Sequence, residues 1–130
     1  MDTIDVAAAI IIRNKKLLAA QRGYGDYAGW WEFPGGKTEP NETPEAALVR
    51  EIREELDASV SVDSYFGTTE YDYPKFHLSM RCYLCTLAGD AMTLREHSAV
   101  KWLGADDIYS VKWLDADVVI LEKLLAQGVL

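Results

Sequence analysis

The strongest constraint on the fold is a glutamate-rich segment between residues 36 and 58, which has the pattern of one amphipathic helix. At about 100° per residue, Glu51, Glu54 and Glu55 fall within one arc of roughly 100°, because positions three and four apart are neighbours on a helix. An adjacent arc of similar width carries the apolar residues of the expected buried stripe, Leu48, Val49, Ile52 and Leu56. The carboxylates therefore border the core.

This carboxylate cluster is costly unless a cation lies within it. Two like unit charges about 5 Å apart repel by about 3 kcal/mol at an effective dielectric constant of about 20. Arg50 and Arg53 can neutralise part of the charge, but a hard divalent ion that prefers oxygen ligands is the stronger candidate. The alternative is a solvated helix face with weak ion pairs, which is common where arginines alternate with glutamates.

The residues before the helix favour a site. Residues 31–34 have the pattern of a short strand, and the glycines at 35 and 36 allow backbone to approach a ligand closely. A charged loop over residues 37–42 follows. Thr43, Pro44 and Glu45 then supply an N-cap, a proline at the first helical position and an acid in the first turn.

The remaining pattern predicts a mixed α/β fold. Strands are expected at residues 6–12, 17–22, 59–73, 76–87 and 99–103, in addition to the short one at Trp31. A second helix is expected over residues 115–127, where apolar residues recur at helical spacing. Helices at two separated places, with strands before and between them, predict a sandwich in which helices flank a sheet.

The segment from residue 36 to residue 58 resembles the Nudix box. The residues Glu32-Phe33-Pro34-Gly35-Gly36-Lys37 and Glu42-Thr43-Pro44-Glu45 are similar to its MutT-like branch, and every charged position of the pattern is present. Asp57 stands where the family has glycine. That position ends the helix, where a left-handed residue is favoured, so the departure concerns local stability and not chemistry.

The resemblance implies an architecture and a cofactor. It implies an α/β (α+β) fold, the Nudix α/β/α sandwich, with a mixed sheet flanked by the box helix and a C-terminal helix. Residues 1–130 are expected to form a single Nudix hydrolase domain. The implied cofactor is Mg²⁺, with Mn²⁺ as an alternative ion.

The resemblance also implies roles for the box residues. Glu51, Glu54 and Glu55 are the implied metal-binding glutamates, together with the backbone carbonyl of Gly36. Arg50 is implied to hold a glutamate in place.

Two further acids are candidates for supporting roles. Glu42 is expected to support the box loop and its charge network. Glu96 lies where MutT-like enzymes carry another metal-interacting glutamate, so it is a candidate for metal binding or general base; a solvated loop acid is the alternative. Glu51 is the preferred general base and Glu96 the second choice.

Five residues are candidates for substrate binding. Arg22 matches a nucleotide-contacting arginine of MutT-like enzymes and suits a phosphate or a base carbonyl. Lys37 suits phosphate, unless it is a solvated lysine. Tyr73 resembles an aromatic position beside the base, although packing at a strand end is favoured. Asp115 and Asp117 lie near the region where relatives read base edges, but a helix N-cap is favoured for them.

The histidines and cysteines carry no predicted chemistry. His77 and His97 have no evident partner at ligand spacing and are expected to be structural or surface residues. Cys82 and Cys85 lie on an expected strand, where residues three apart face opposite sides. We therefore expect two ordinary thiols and neither a disulfide nor a shared metal.

Net charge limits the partners. At −8, the chain does not suit an enzyme that holds a nucleic acid polymer on a broad basic surface. A triphosphate is also an anion, so the acidic helix can meet it only through divalent cations. No apolar segment of membrane-span length and no signal-peptide pattern opens the chain, so we expect no membrane partner and a cytoplasmic protein. We expect a monomer or a homodimer.

Together with the resemblance to MutT-like enzymes and the related CTP pyrophosphohydrolases, these features imply a Mg²⁺-dependent nucleoside triphosphate pyrophosphohydrolase. Attack of water at the β-phosphorus would yield the nucleoside monophosphate and pyrophosphate, as in MutT-like enzymes. Similarity to CTP-type relatives at residues 6–11, 20–22 and 116–117 favours pyrimidine or modified pyrimidine nucleotides. The alternatives are hydrolysis of 8-oxo-dGTP, hydrolysis of a nucleoside diphosphate linked to another group, and a non-catalytic nucleotide sensor.

Overall fold

Seven strands and two helices make up residues 2–130, the part of the chain that the computed structural model describes. In chain order the elements are β1 (Thr3–Arg13), β2 (Lys16–Arg22), β3 (Trp31–Glu32), β4 (Gly35–Lys37), α1 (Pro44–Leu56), β5 (Ser59–Tyr73), β6 (Phe76–Ala88), β7 (His97–Leu103) and α2 (Asp115–Ala126). The predicted strands and helices are all present. β1 and β7 begin two or three residues earlier than expected, and β4 was not predicted.

The strands form one mixed sheet with the order β3-β2-β1-β6-β5. β1 and β6 run parallel, from Thr3 opposite His77 to Ile11 opposite Cys85, while the other paired strands are antiparallel. β4 pairs with β1, and β7 pairs with β2. β1 therefore lies at the centre of the sheet and connects its two halves.

The two helices cover opposite faces of this sheet. Alternate residues of β1 belong to different apolar clusters: Ala8 and Ile10 pack on the α2 side, whereas Ala9 and Ile11 pack on the α1 side. Because β1 is buried on both faces, its sequence is a nearly continuous apolar run. The expected sandwich of helix, mixed sheet and helix is confirmed. Among residues 2–130, neither helix has the length and apolar character of a membrane span.

Helix α1 has the predicted caps. The hydroxyl of Thr43 accepts a hydrogen bond from the backbone N–H of Ala46 at 3.1 Å, and Pro44 is the first helical residue. The helix ends at Asp57, whose φ of 50° is in the left-handed region. The buried stripe differs at one position: Val49 is 41% exposed, because it lies at the margin of the apolar arc.

Helix α2 begins differently from the prediction. Its N-cap residue is Leu114, which has extended backbone angles and makes no side-chain cap hydrogen bond. Asp115 and Asp117 lie inside the first turn, so the N-cap role favoured for them is wrong. The physical reason is that both carboxylates bond elsewhere, Asp117 to the N–H of Phe33 and Asp115 to the hydroxyl of Tyr71.

The two cysteines lie on opposite faces of β6. Cys82 belongs to the cluster under α2 and Cys85 to the cluster under α1, and both are free and buried. Burial raises the pKa of each thiol. The prediction of two ordinary thiols is confirmed, and neither is a reactive thiolate.

Candidate active site

A cavity of about 610 Å³ opens beside the acidic edge of α1. Its lining includes Glu51, Glu54 and Glu55 from the helix, and Glu96 from the segment before β7. The same cavity is lined by residues of the apolar cluster on the α2 side, including Ala8, Phe33, Tyr73 and Met80. One cavity thus combines a strongly acidic surface with an apolar surface.

The glycine pair of β4 brings backbone against Glu51. A Cβ atom at Gly35 would lie 2.1 Å from the carbonyl oxygen of Ala7, so only glycine allows β4 to lie this close to β1. A Cβ atom at Gly36 would lie 2.3 Å from Cδ and 2.4 Å from Oε2 of Glu51. The structure therefore places the Gly36 backbone directly against the Glu51 carboxylate, two groups that the resemblance to the Nudix box implies act together.

Arg50 connects the box loop to the glutamates of the helix. Its guanidinium donates from Nε and Nη2 to the two oxygens of Glu42, at 2.8 and 2.9 Å. It also donates from Nη1 to Glu51 at 2.9 Å and to Glu54 at 3.2 Å. The hydrogen bonds from Arg50 lower the pKa of Glu42 to about 2. In turn, the hydrogen bonds to Glu42 raise the pKa of Arg50. Glu42 and Arg50 are thus placed for the supporting roles predicted for them.

Glu55 is the most strongly perturbed carboxyl group of the acidic edge. Its side chain is only 15% exposed and that of Glu51 only 14%. Burial raises the pKa of Glu55, and so do the neighbouring carboxyl groups of Glu51 and Glu96. The protein itself therefore does not compensate the ionised form of Glu55, which favours the protonated acid.

The carboxylates of this site are the oxygen ligands that a divalent cation prefers, but their side chains are not yet arranged as a set of metal ligands. Within residues 2–130, no three acidic, histidine or cysteine side chains are gathered closely enough to hold a metal ion as they stand. Arg50 pairs with Glu51 and Glu54, and the Glu54 side chain is 59% exposed. The oxygen donors fit a hard cation such as Mg²⁺, and so does Glu55, whose ionised form lacks a compensating cation within the protein.

Arg22 lines the cavity and belongs to a hydrogen-bond network with Glu32 and His97 that the sequence did not predict. Its Nη1 donates to Oε1 of Glu32 at 3.0 Å, and Nε2 of His97 lies 3.1 Å from Oε2 of the same carboxylate. Nδ1 of His97 lies 3.9 Å from Oε2 of Glu55. His97, expected to be a structural or surface residue, is buried and bonds Glu32, because pairing of β2 with β3 and β7 brings these residues together.

Glu96 lies in the cavity on an exposed segment. Its Oε2 is 3.5 Å from the hydroxyl of Tyr24, a largely exposed residue of the loop after β2. The charge of Glu96 raises the pKa of Tyr24. Glu96 therefore shares the cavity with Glu55, and Tyr24 is an additional lining residue.

Of the other candidate substrate-binding residues, Asp117 and Lys37 line the cavity and Asp115 does not. Asp117 is buried in the cavity wall, where its Oδ2 accepts the N–H of Phe33 at 2.8 Å. Burial raises its pKa well above the ordinary value, and the charge of Glu32 adds to this. Lys37 lines the cavity and is exposed. Asp115 is not among the residues that line the cavity, because its carboxylate points to Tyr71.

Tyr73 lines the cavity but is held by packing. Its hydroxyl accepts the backbone N–H of Ala116 at 3.1 Å, and its ring stacks on Phe76 with centroids 5.2 Å apart. Burial raises the pKa of its hydroxyl. The packing interpretation favoured for this residue agrees with these contacts.

Comparison with known proteins identifies the family. The family model described as NUDIX domain matches residues 3–125. The chain belongs to the Nudix family. A CTP pyrophosphohydrolase of Escherichia coli (strain K12) is 35% identical over 127 residues, which cover 97% of this chain and 94% of the relative. An 8-oxo-dGTP diphosphatase of Proteus vulgaris is 36% identical over 97 residues, which cover 73% of this chain and 87% of the relative.

A solved structure agrees with this Nudix assignment. The crystal structure of a MutT NUDIX hydrolase from Burkholderia pseudomallei superposes with a TM-score of 0.86 at 25% identity, covering 95% of this chain and 99% of that one. The resemblance to the MutT-like branch is confirmed. The protein is a Nudix pyrophosphohydrolase that acts on nucleotide derivatives.

Proposed function

We propose that the protein is a Mg²⁺-dependent nucleoside triphosphate pyrophosphohydrolase that converts a CTP-like or modified pyrimidine nucleotide to its monophosphate and pyrophosphate. The single observation that carries the proposal is the cavity in which the acidic edge of α1 meets an apolar wall containing a buried Asp117. A nucleotide presents the matching chemistry, a polyphosphate joined to a flat base. The CTP pyrophosphohydrolase that matches nearly the whole chain supports this substrate class.

The carboxylates supply the catalytic surface in this proposal. Nudix hydrolases generally need a divalent metal ion, usually Mg²⁺. Glu51, Glu54, Glu55 and Glu96, with the Gly36 carbonyl, would hold it. When bound, the ion withdraws charge from the phosphate oxygens and lowers the pKa of a bound water.

The side chains of the cavity would carry out the remaining steps. Glu51 accepts a proton as the oxygen of the attacking water bonds to the β-phosphorus, with Glu96 as the second candidate base. The bond between that phosphorus and the oxygen bridging to the α-phosphorus breaks, and the monophosphate leaves with the bridging oxygen. Arg22 and Lys37 line the same cavity and are suited to bind the anionic phosphates.

Asp117 is the proposed base-reading residue. Its ionised carboxylate can accept a hydrogen bond from a cytosine amino group, which favours a CTP-like substrate. The raised pKa of Asp117 instead favours the acid form, which donates to a base carbonyl. This second observation favours the alternative of an oxidised purine such as 8-oxo-dGTP, the substrate named for the Proteus vulgaris relative.

A panel of normal and damaged triphosphates separates these candidates. Pyrophosphate release should depend on Mg²⁺ and should be fastest for a CTP-like substrate. Glu54→Gln should abolish turnover with the fold intact, whereas Glu122→Gln, an exposed position on α2, should leave it unchanged. Full activity of Glu54→Gln at saturating Mg²⁺ would contradict the proposed metal-binding role.

The role of Asp117 has its own test. Asp117→Asn should change the ratio of kcat/KM between CTP-like and GTP-like substrates, because the amide offers a different hydrogen-bonding pattern to the base. Asp115→Asn, on the same helix but outside the cavity, should preserve that ratio. Equal losses for both bases in Asp117→Asn would remove the base-reading assignment.

A further inference from the structure

His97 lies between Glu55 of the acidic helix and Glu32, the carboxylate that accepts a hydrogen bond from Arg22. Its side chain is only 5% exposed, and its Nε2 is 3.1 Å from Oε2 of Glu32. Because a carboxylate can only accept, Nε2 carries the proton of this hydrogen bond. The other oxygen of the same carboxylate accepts from Arg22. One imidazole and one carboxylate therefore hold Arg22 in place.

The opposite edge of the imidazole faces the acidic helix. Nδ1 of His97 is 3.9 Å from Oε2 of Glu55. Within residues 2–130 this nitrogen is buried without a hydrogen-bond partner. Since a buried polar atom without a partner is unfavourable, closure of this gap by about 1 Å would satisfy it and fix the Glu55 carboxyl group. Nδ1 of the neutral ring accepts from a protonated Glu55, and a doubly protonated ring donates from Nδ1 to the ionised carboxylate.

The surrounding backbone makes this arrangement rigid. Arg22 and His97 are direct partners in the pairing of β2 with β7, and Glu32 lies on β3, which pairs with the other edge of β2. Side chains on paired strands keep their spacing better than side chains on loops. His97 bonds the carboxylate that accepts from Arg22, and its Nδ1 lies 3.9 Å from Glu55, so the spacing between Arg22 and Glu55 is expected to depend on this ring.

We propose that His97 is a positioning residue that sets the distance between the metal-binding carboxylate Glu55 and the substrate-binding arginine Arg22. It acts on Arg22 through Glu32 and on Glu55 through the edge of its ring. The inference rests on the proposed function for the roles of Arg22 and Glu55. The two ring nitrogens serve different partners, so their contributions are separable by substitution.

Three variants test the two edges of the ring. Glutamine places its amide nitrogen near the position of Nε2 and retains a donor to Glu32, whereas asparagine places its amide near the position of Nδ1 and faces Glu55. Leucine removes both. The readouts are the Kd of the free protein for Mn²⁺, measured by electron paramagnetic resonance, and KM and kcat for the triphosphate that the wild-type protein cleaves best.

The expected results differ for each variant. His97→Leu should weaken Mn²⁺ binding by about tenfold or more and also raise KM, as for other residues that orient metal ligands. His97→Gln should restore KM but not the Kd for Mn²⁺. His97→Asn should restore the Kd for Mn²⁺ but not KM. His77→Leu, at the other histidine of the chain, should change neither quantity.

Two results would overturn the inference. One is a Kd for Mn²⁺ in His97→Leu within about twofold of wild type, at an unchanged unfolding temperature. The other is identical behaviour of the glutamine and asparagine variants in both readouts, which would indicate packing alone and applies even if the leucine variant does not fold. A wild-type protein that cleaves no triphosphate would contradict the proposed function, while the Mn²⁺ measurements would still decide the Glu55 half of this inference.

Discussion

Replacement of Gly36 by alanine should damage the active site far more than the fold. The added Cβ would lie 2.3 Å from Cδ and 2.4 Å from Oε2 of Glu51, so the carboxylate must retreat by about 1 Å to reach an ordinary contact near 3.4 Å. Glu51 cannot simply rotate into solvent, because its side chain is only 14% exposed and is held by Arg50.

The size of the effect follows from this displacement. A misplacement of about 1 Å in catalytic geometry costs roughly 100-fold, or about 2.7 kcal/mol of transition-state stabilisation. The substitution should lower the free energy of unfolding by about 1 kcal/mol, at the low end of the range for overpacking, because only the carboxylate end of Glu51 beside the cavity has to move and the backbone of Gly36 is not in the left-handed region. The expected signature is therefore a large loss of kcat/KM with little change in the free energy of unfolding.

The assay is pyrophosphate release at saturating Mg²⁺, with chemical unfolding measured on the same samples. Gly67→Ala is the matched control, since a Cβ there meets only the terminal nitrogen of Lys123 at 4.0 Å. It should keep wild-type activity. A Gly36→Ala enzyme within about threefold of wild type would refute the argument that Glu51 needs the backbone of Gly36 against it.

Three further substitutions test the packing and electrostatics around the site. Tyr73→Phe should destabilise the protein by about 1–3 kcal/mol, because it leaves the buried N–H of Ala116 without its acceptor; chemical unfolding measures this, and an unchanged free energy of unfolding would contradict it. Asp57→Gly should stabilise the protein by about 1 kcal/mol, since glycine accepts the left-handed backbone at the end of α1 without strain; a lower unfolding temperature would oppose this. The hydrogen bond to Asp72 raises the pKa of His77, so its stabilising effect is complete below the unfolded pKa of about 6.5 and disappears as pH rises through the folded value. The unfolding temperature of wild type should therefore exceed that of His77→Gln by more at about pH 5.5 than at about pH 9, and a constant difference would exclude the ion pair.

Local sequence rules accounted for the box helix and its ends. The arc of Glu51, Glu54 and Glu55 follows from helical spacing alone, because residues three and four apart must share a face. Thr43 and Asp57 were recognised as the start and end of α1 for the same reason, since caps depend on neighbouring backbone groups. The same kind of rule failed at Asp117, where a hydrogen bond to a residue 84 positions away replaced the expected local cap.

The remaining parts of the site depend on strands that are distant in the sequence. Glu32 and His97 are 65 residues apart, and their contact needs both β3 and β7 to pair with β2 in one register. The close contact between Gly36 and Glu51 likewise needs β4 to lie against β1. The glycines allow this pairing, but their presence in the sequence does not predict it.

The amino-acid sequence by itself determined the acidic helix, its caps, the positions of most strands along the chain and the Nudix assignment, because these depend on short-range spacing and on a contiguous motif. Only the tertiary structure decided which side chains face one another across the cavity: His97 between Glu32 and Glu55, and Asp117 in the wall. The physical reason is that sheet register is set by packing of the whole core, and a register selects partners that no local pattern specifies.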